Sequence, residues 1–314
     1  MKQAGYLSLH KQGELAGRIA KAREMLSPCR VCPRQCKVER LAGEKGICRT
    51  GARAVVSSYS PHFGEESPLV GSGGSGTIFL TQCSLLCVFC QNYEISHLGQ
   101  GIETDTVQLS SMMVSLQRQG CHNINFVTPS HVVPQIIAAL PKAIEKGLTV
   151  PLVYNSSGYD SVQTLQLLEG VFDIYMPDFK FWISESGTRF AKAPDYPEVA
   201  QKAILEMHRQ VGDLVLDEEG VATKGLLVRH LVMPGGLDET REIFRFLARE
   251  VSVETYINVM DQYRPCGKAH QFPPIDRRLR NEEFQMALTL AAEAGLHRLD
   301  EKNWPRILRK LGIR

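Results

Sequence analysis

The sequence has no apolar run long enough to cross a bilayer. The longest stretch of that kind, Val132 to Leu140, is already interrupted by Pro134 and Gln135, whereas a spanning helix needs about 20 mostly apolar residues. A signal peptide is not expected either. The first 26 residues carry His10, Lys11, Glu14, Arg18, Lys21 and Arg23 and no apolar core. Charge of one sign is also missing: 36 Lys and Arg against 34 Asp and Glu leave +2, which excludes a protein that coats nucleic acid by whole-chain charge. Internal repeats and low-complexity tracts are absent. Hydrophobic residues make up 43% and charged residues 22% of the chain, so it is neither disordered nor membrane-embedded. Its 314 residues suffice for a sizeable core. Together these exclusions predict a cytoplasmic globular protein, with two domains or one α/β barrel with additions.

What the sequence does have is cysteine. Nine cysteines in a chain expected in a reducing compartment point to metal binding or reactivity rather than structural disulfides. Seven of the nine fall into two groups. Cys29, Cys32 and Cys36, with Cys48 after a turn at Gly43 and Gly46, follow a short amphipathic helix at Gly13 to Leu26 that Ser27-Pro28 breaks. Cys83, Cys87 and Cys90 lie in a second group. A Gly-, Ser- and Pro-rich stretch from Glu65 to Gly76 separates the two and reads as a boundary loop.

From Thr77 onward, short apolar runs alternate with helical patterns. The runs are Thr77 to Leu80, Ile124 to Val127, Val150 to Tyr154, Val171 to Met176, Gly225 to Val232 and Thr255 to Met260. Between them lie helices expected at Val107 to Arg118, Val132 to Lys146, Ser161 to Leu168, Pro197 to Val211 and Glu239 to Arg249. Such alternation implies parallel βαβ units, and six units predict an α/β fold, a partial (β/α)6 barrel. The expected organisation is an amino-terminal helix and four-cysteine metal-binding module over 1–65, the barrel over 66–265, and a carboxyl-terminal helical extension over 266–314.

Polar residues gather at the carboxyl end of nearly every predicted strand, where barrel sites form. Cys83, Cys87 and Cys90 occupy such a position, in C-x3-C-x2-C spacing. Three thiolates so placed can hold three corners of a 4Fe–4S cubane and leave one iron open for a substrate. Zinc competes, but a structural zinc site wants four ligands, and His97 is the sole fourth candidate nearby. Gly71, Gly73, Gly74 and Gly76 do not form a phosphate loop, because they precede a strand instead of following one. Cys121 and Cys266 lack partners at ligand spacing and read as ordinary small residues.

The segment from Gly76 to Asn92, which carries the three cysteines and Phe89 before the last of them, resembles the signature of the radical S-adenosylmethionine (SAM) superfamily. More narrowly, the chain resembles the branch related to pyruvate formate-lyase-activating enzymes, including members with an amino-terminal cysteine cluster. The resemblance implies a cluster whose open iron chelates SAM and whose electron cleaves it to a 5′-deoxyadenosyl radical. It also implies contacts to SAM. Ile174 to Lys180 resembles the Asp-x-Lys element of the activators, with Met176, Asp178 and Lys180 on one face of the strand. Asn155, Ser156 and Ser157 resemble an Asp-Thr-Asn element, with Asn155 in place of the acid, which puts a monovalent cation site in doubt. Thr128 and Ser130 stand where the superfamily often places a Gly-Gly-Glu-like segment and offer oxygens to the SAM ammonium. Arg229 and His230, with Gln262 and Arg264 further on, are candidates for adenine or a substrate anion, and a structural salt bridge is the competing reading. His131 reads as a helix-start residue.

Cys29, Cys32, Cys36 and Cys48 supply enough thiolates to close a second metal site holding zinc, iron or another iron–sulfur cluster. Gly17 to Arg53 also carries ten Lys or Arg against three Glu, a local basic face that reads most simply as a solvated one. The leading functional expectation is activation of a glycyl radical enzyme by hydrogen abstraction. Radical modification of a small molecule, peptide or RNA is the alternative, and a non-catalytic electron-transfer protein is a third. The expected partners are an electron donor such as flavodoxin or ferredoxin and a protein substrate, with no nucleic acid and no membrane.

Overall fold

The computed structural model describes residues 3–300, so the last fourteen positions of the expected carboxyl-terminal extension lie outside the described residues. Nine strands form its sheet: β1 Ala54–His62, β2 Ser75–Leu80, β3 Ile102–Thr104, β4 Ile124–Val127, β5 Leu152–Ser156, β6 Ile174–Pro177, β7 Val215–Leu216, β8 Ala222–Leu231 and β9 Tyr256–Met260. The order runs β3-β1-β2-β4-β5-β6-β8-β7, with β9 also paired to β8. Strands β2, β4, β5, β6, β8 and β9 pair in parallel with their neighbours. These are the six strands read from the sequence, and they make the partial barrel.

Helices return the chain between them. Thr106–Arg118 starts cleanly because Asp105 accepts from Val107 N and Gln108 N, both at 2.8 Å, while Gln108 accepts from Asp105 N, a capping box. Val133–Glu145 buries most of its length against the sheet, and Tyr196–Val211 opens on Pro197 and stops at Gly212. Proline at the start and glycine after the end is the polarity helices favour.

Two findings differ from the sequence reading. β1 adds to β2 in antiparallel fashion and also carries β3, so the central sheet begins before residue 66. And the stretch from Glu65 to Gly76 is not just a loop: it contains the helical turn Ser67–Val70 and the first residues of β2. The amino-terminal segment packs into the same core as the barrel, through Tyr6, Leu9, Leu15, Met25 and Leu26. Among the described residues, no helix is long and apolar enough to cross a membrane.

Inside the barrel, residues of one strand parity share a face. Val153, Ile174, Met176, Leu227 and Tyr256 form an apolar floor with Leu69, Leu214 and Ala222. Two residues further along β5, β8 and β9, and at the end of β6, the same face presents Asn155, Arg229, Asn258 and Asp178, which line a cavity. The barrel therefore has a dry lower layer and a polar upper one.

Candidate functional site

The cavity encloses about 440 Å³, within the range of small-molecule sites. Its walls come from the cysteine loop (Cys83, Cys87, Cys90), from the ends of β4 to β6 (Thr128, Asn155, Ser156, Ser157, Asp178, Lys180), from Arg229 on β8 and Asn258 on β9, and from Glu65 and Glu66 between β1 and β2.

The cysteine loop leaves β2 through backbone that few side chains adopt. Gln82 and Leu86, which precede Cys83 and Cys87, have φ of 72° and 60°. Of the seven non-glycine residues with positive φ among the described residues, five flank cysteines of the two groups and a sixth, Thr128, lines the cavity. Strain of this kind persists where surrounding structure fixes it, and it collects at functional sites. Here it turns donors toward sulfur: Leu85 N lies 3.3 Å from Cys83 Sγ, and Ser96 Oγ lies 3.1 Å from Cys90 Sγ. Phe89 anchors the loop from below against Phe181 and Tyr263. Burial pushes the Cys83 and Cys87 thiols up, and Lys180 draws both down. His97 is taken up by Ser96 Oγ at 2.8 Å and by stacking on Tyr93. Among the described residues, no three His, Cys, Asp or Glu side chains are placed to hold a single metal ion. A cubane makes a different demand, since each thiolate binds its own iron, and three cavity-lining thiols with N–H and O–H donors on sulfur fit it.

An ion network runs across the cavity beside that loop. Lys180 Nζ meets Asp178 Oδ2 at 2.5 Å, Arg229 Nε donates to Asp178 Oδ1 at 2.8 Å, and Arg229 Nη2 donates to Asn155 Oδ1 at 2.7 Å. Arg229 Nη1 stands 3.8 Å from Glu66 Oε1, which accepts from Asn258 Nδ2 at 3.0 Å. Burial would raise the Asp178 pKa, but Arg229 and Lys180 outweigh it and hold the carboxyl below its ordinary range. Burial would lower Lys180, and Asp178 reverses that. Glu66 is pushed up to about 7 by burial, against the pull of Arg229. Gly158 lets the loop after β5 approach this network, because any Cβ there would lie 2.1 Å from Asp178 O.

The sequence-predicted residues divide accordingly. Thr128, Asn155, Ser156, Ser157, Asp178, Lys180 and Arg229 line the cavity with the three cysteines, as does Gln262. The Ser156 hydroxyl is spent on Asp160 Oδ2 at 2.6 Å, whereas the Ser157 hydroxyl is buried and has no hydrogen-bond partner among the described residues. Three candidates lie elsewhere. Met176 shares the parity of Asp178 but sits one layer lower, in the apolar floor. Ser130 is buried beside Asp160, away from the cavity lining. His230 faces outward from β8, between Phe179 O at 2.7 Å and Thr240 Oγ1 at 2.9 Å, because its parity is opposite to that of Arg229. His131 is also internal, with Nε2 3.0 Å from Thr81 O. Asn258, Glu65 and Glu66 were not read from the sequence. A lone Asn within the apolar run of β9 was the available signal for the first. For the two glutamates there was none, since their stretch reads as a linker.

The second cysteine group forms a separate loop that touches the three-cysteine loop through Arg34. Cys29 N donates to Val38 O and Lys37 N to Cys29 O, both at 2.9 Å. Gln35, Lys37 and Arg49 adopt left-handed backbone beside Cys36 and Cys48. Gly46 is required, because a Cβ there would lie 2.7 Å from Cys36 Sγ. The Cys32 thiol is pushed up by burial first and then by Cys48, Cys29 and Cys36, so the four thiols are neighbours. Arg34, between them, reaches the other loop: it donates to Ser84 O at 2.9 Å and Leu85 O at 3.2 Å and lies over the Tyr159 ring.

No family model matches the chain. Among solved structures, native anSMEcpe with bound AdoMet aligns at TM-score 0.44 and 11% identity, over 68% of this chain and 57% of that one. The same protein with bound AdoMet and Kp18Cys peptide aligns at 0.44 and 11%, over 72% and 57%. The chain thus spans little more than half the length of these structures, and a likeness at this level says nothing about its chemistry. The sequence is also 34% identical, over 282 residues, to "Uncharacterized protein MJ0674" of Methanocaldococcus jannaschii, covering 88% of this chain and 77% of that protein. The chain belongs to the family of that archaeal protein.

Proposed function

We propose that this protein is a radical SAM enzyme, with a 4Fe–4S cluster held by Cys83, Cys87 and Cys90 and SAM bound in the adjoining cavity. The observation that carries this reading is the convergence, in one cavity, of exactly spaced thiols with a preformed ion network at the strand ends. When bound, cluster and SAM supply a one-electron cleavage of the sulfonium to methionine and a 5′-deoxyadenosyl radical. The protein's own part is placement. The three thiols leave one coordination position open. Asn155, Ser157, Asp178 and Lys180 offer donors and acceptors for the amino-acid and ribose groups of SAM. The Arg229 network fixes Asn155, Asp178 and Lys180 before SAM arrives, so they need not reorganise.

Within this reading the finer assignment is activation of a glycyl radical enzyme, supported by the sequence resemblance at Ile174 to Lys180. It calls for a protein substrate and for an electron donor such as flavodoxin or ferredoxin, and it places the protein in the cytoplasm. Cys29, Cys32, Cys36 and Cys48 hold a second metal centre, for which four neighbouring thiols, those of Cys29, Cys32 and Cys48 buried and that of Cys36 half-buried, and the left-handed turns around them speak.

The test is anaerobic reconstitution with iron and sulfide, followed by dithionite reduction with SAM. Formation of 5′-deoxyadenosine is expected, and its loss in Cys87→Ala, because two thiolates do not hold a cubane with one open iron. Cleavage at the wild-type rate in Cys87→Ala would overturn the proposal. A glycyl-type electron paramagnetic resonance signal in a protein partner would establish the finer assignment.

A further inference from the structure

The cavity has a second polar end, apart from the residues proposed above to meet SAM. The barrel is open between β9 and the β1–β2 side, and the segment from Glu65 to Ser67 crosses that opening. It is held by Glu66 Oε1 on Asn258 and by Ser67 N on Asp300 Oδ1 at 3.1 Å. This crossing brings two carboxylates into the cavity wall. Glu66 is 4% exposed, and its Oε2 has no hydrogen-bond partner among the described residues. The Glu65 side chain is 8% exposed, with Oε1 3.3 Å from His62 Nδ1.

Among the described residues no cation donates to Glu66 Oε2, whereas Glu65 Oε1 is engaged by His62. Arg229 spends Nε on Asp178 and Nη2 on Asn155, and its remaining nitrogen stays at 3.8 Å from Glu66, beyond hydrogen-bond reach. Lys180 is committed to Asp178. Along the lining, the carboxylates Glu65, Glu66 and Asp178 stand with the two fixed cations Lys180 and Arg229, both already drawn to Asp178, and with His62 beside Glu65. A buried carboxylate oxygen without a donor is costly, and a cation with several N–H donors removes that cost.

We infer that Glu65 and Glu66 form the subsite for the substrate, and that the substrate presents a protonated primary amine to them. This rests on the SAM reading of the cavity and adds the substrate class. A primary ammonium carries three donors on one small head. It can meet Glu66 Oε2 and Glu65 together, while the rest of the molecule extends along the cavity toward the cysteine loop. The amine binds without bond change, so the subsite orients substrate and takes no part in electron transfer. Bulkier guanidinium or quaternary heads do not suit a wall already filled by the Arg229 side chain.

The experiment uses n-pentylamine as probe, with n-pentanol and pentanoate as neutral and anionic counterparts of similar shape. Binding to the reconstituted full-length protein is followed by ligand-observed NMR, with and without SAM, in wild type, Glu66→Gln and Glu65→Gln. The expected result is selective binding of the amine, weakened about tenfold or more in Glu66→Gln by loss of a charge-assisted contact, with SAM affinity far less affected. Equal binding of amine and alcohol, or of neither, would overturn the inference, because a proton or a water then satisfies Glu66. A loss of SAM affinity in Glu66→Gln as large as the loss of amine affinity would overturn it too, by assigning the carboxylate to SAM's own cationic groups. If Glu66→Gln does not fold, Glu65→Gln carries the same comparison. A wild-type protein that binds no SAM defeats the preceding section's reading, and the amine arm measured without SAM then decides this one.

Discussion

Asp178 joins two cations in a setting with little water, and that decides how it responds to change. On a surface such a pair contributes about 0–1 kcal/mol. Here Asp178 and Lys180 are each 14% exposed and Arg229 17%, so removing the anion strands two buried positive charges. Asp178→Asn should lower stability by roughly 3 kcal/mol, read as a shift of the urea midpoint at pH 7, together with weaker SAM binding by the reconstituted protein. His230 behaves differently. Burial lowers its pKa to about 4, so the fold holds it neutral while the unfolded chain titrates near its ordinary value of about 6.5. Between those values the unfolded state binds more protons, and stability is lost as pH falls through that window. His230→Asn, which keeps a donor for Phe179 O, should show a shallower loss between pH 6.5 and 4 in denaturant titrations. An equal slope in both proteins would mean that other groups dominate acid unfolding. The two residues also show what sequence reading can resolve. Asp178 and Arg229 stood out because charged residues at strand ends demand a site. His230, next to Arg229, looked equally chemical, and only strand parity sends it to the opposite face. Glu66 was invisible because its significance lies in what it meets across the barrel, not in its neighbours in sequence.

Among elements, those with a strong period were legible and those without were not. The six parallel strands and most helices between them follow from apolar runs and their spacing. β1 escaped because half of it is solvent-facing: Ser58, Tyr59 and Ser60 are exposed, and Pro61 follows. Helix Ser184–Ala191 escaped because it is short and rich in Ser, Gly and Thr. Each of the two cysteine loops, by contrast, declares itself by spacing alone. Four thiols in the amino-terminal loop should retain metal when the other loop cannot. The triple variant Cys83→Ala, Cys87→Ala and Cys90→Ala is expected to carry metal by elemental analysis, and a folded, metal-free protein would refute the second centre. Arg34 is the element-level contact between the loops. Arg34→Ala should leave metal at the amino-terminal loop but speed loss of iron from the three-cysteine loop to a chelator several-fold, because the carbonyls of Ser84 and Leu85 lose their donors.

At the scale of the molecule, the expected division into an amino-terminal module and a barrel meets a shared core. Tyr6 OH donates to Val150 O, Gly5 N to Asp173 Oδ1 and Thr164 Oγ1 to Val31 O, and Arg40, 1% exposed, donates to His131 O. A chain starting at residue 54 would bare the apolar faces that these contacts cover. Such a fragment should lose the cooperative unfolding transition of the full chain, as seen by circular dichroism against temperature, whereas a true two-domain protein would keep it. Arg34 has a thermodynamic meaning at this scale. Whatever binds at either cysteine loop must first hold that loop still, and a guanidinium planted between Cys32 and Cys36 with its nitrogens on the backbone of the other loop shares that stillness. Order gained on one side is order the other no longer has to gain. Linkage makes the effect mutual: if filling the amino-terminal loop tightens the grip of the three-cysteine loop by some factor, filling the latter tightens the former by the same factor. The two centres would then load together, and a chelator that empties one would loosen the other.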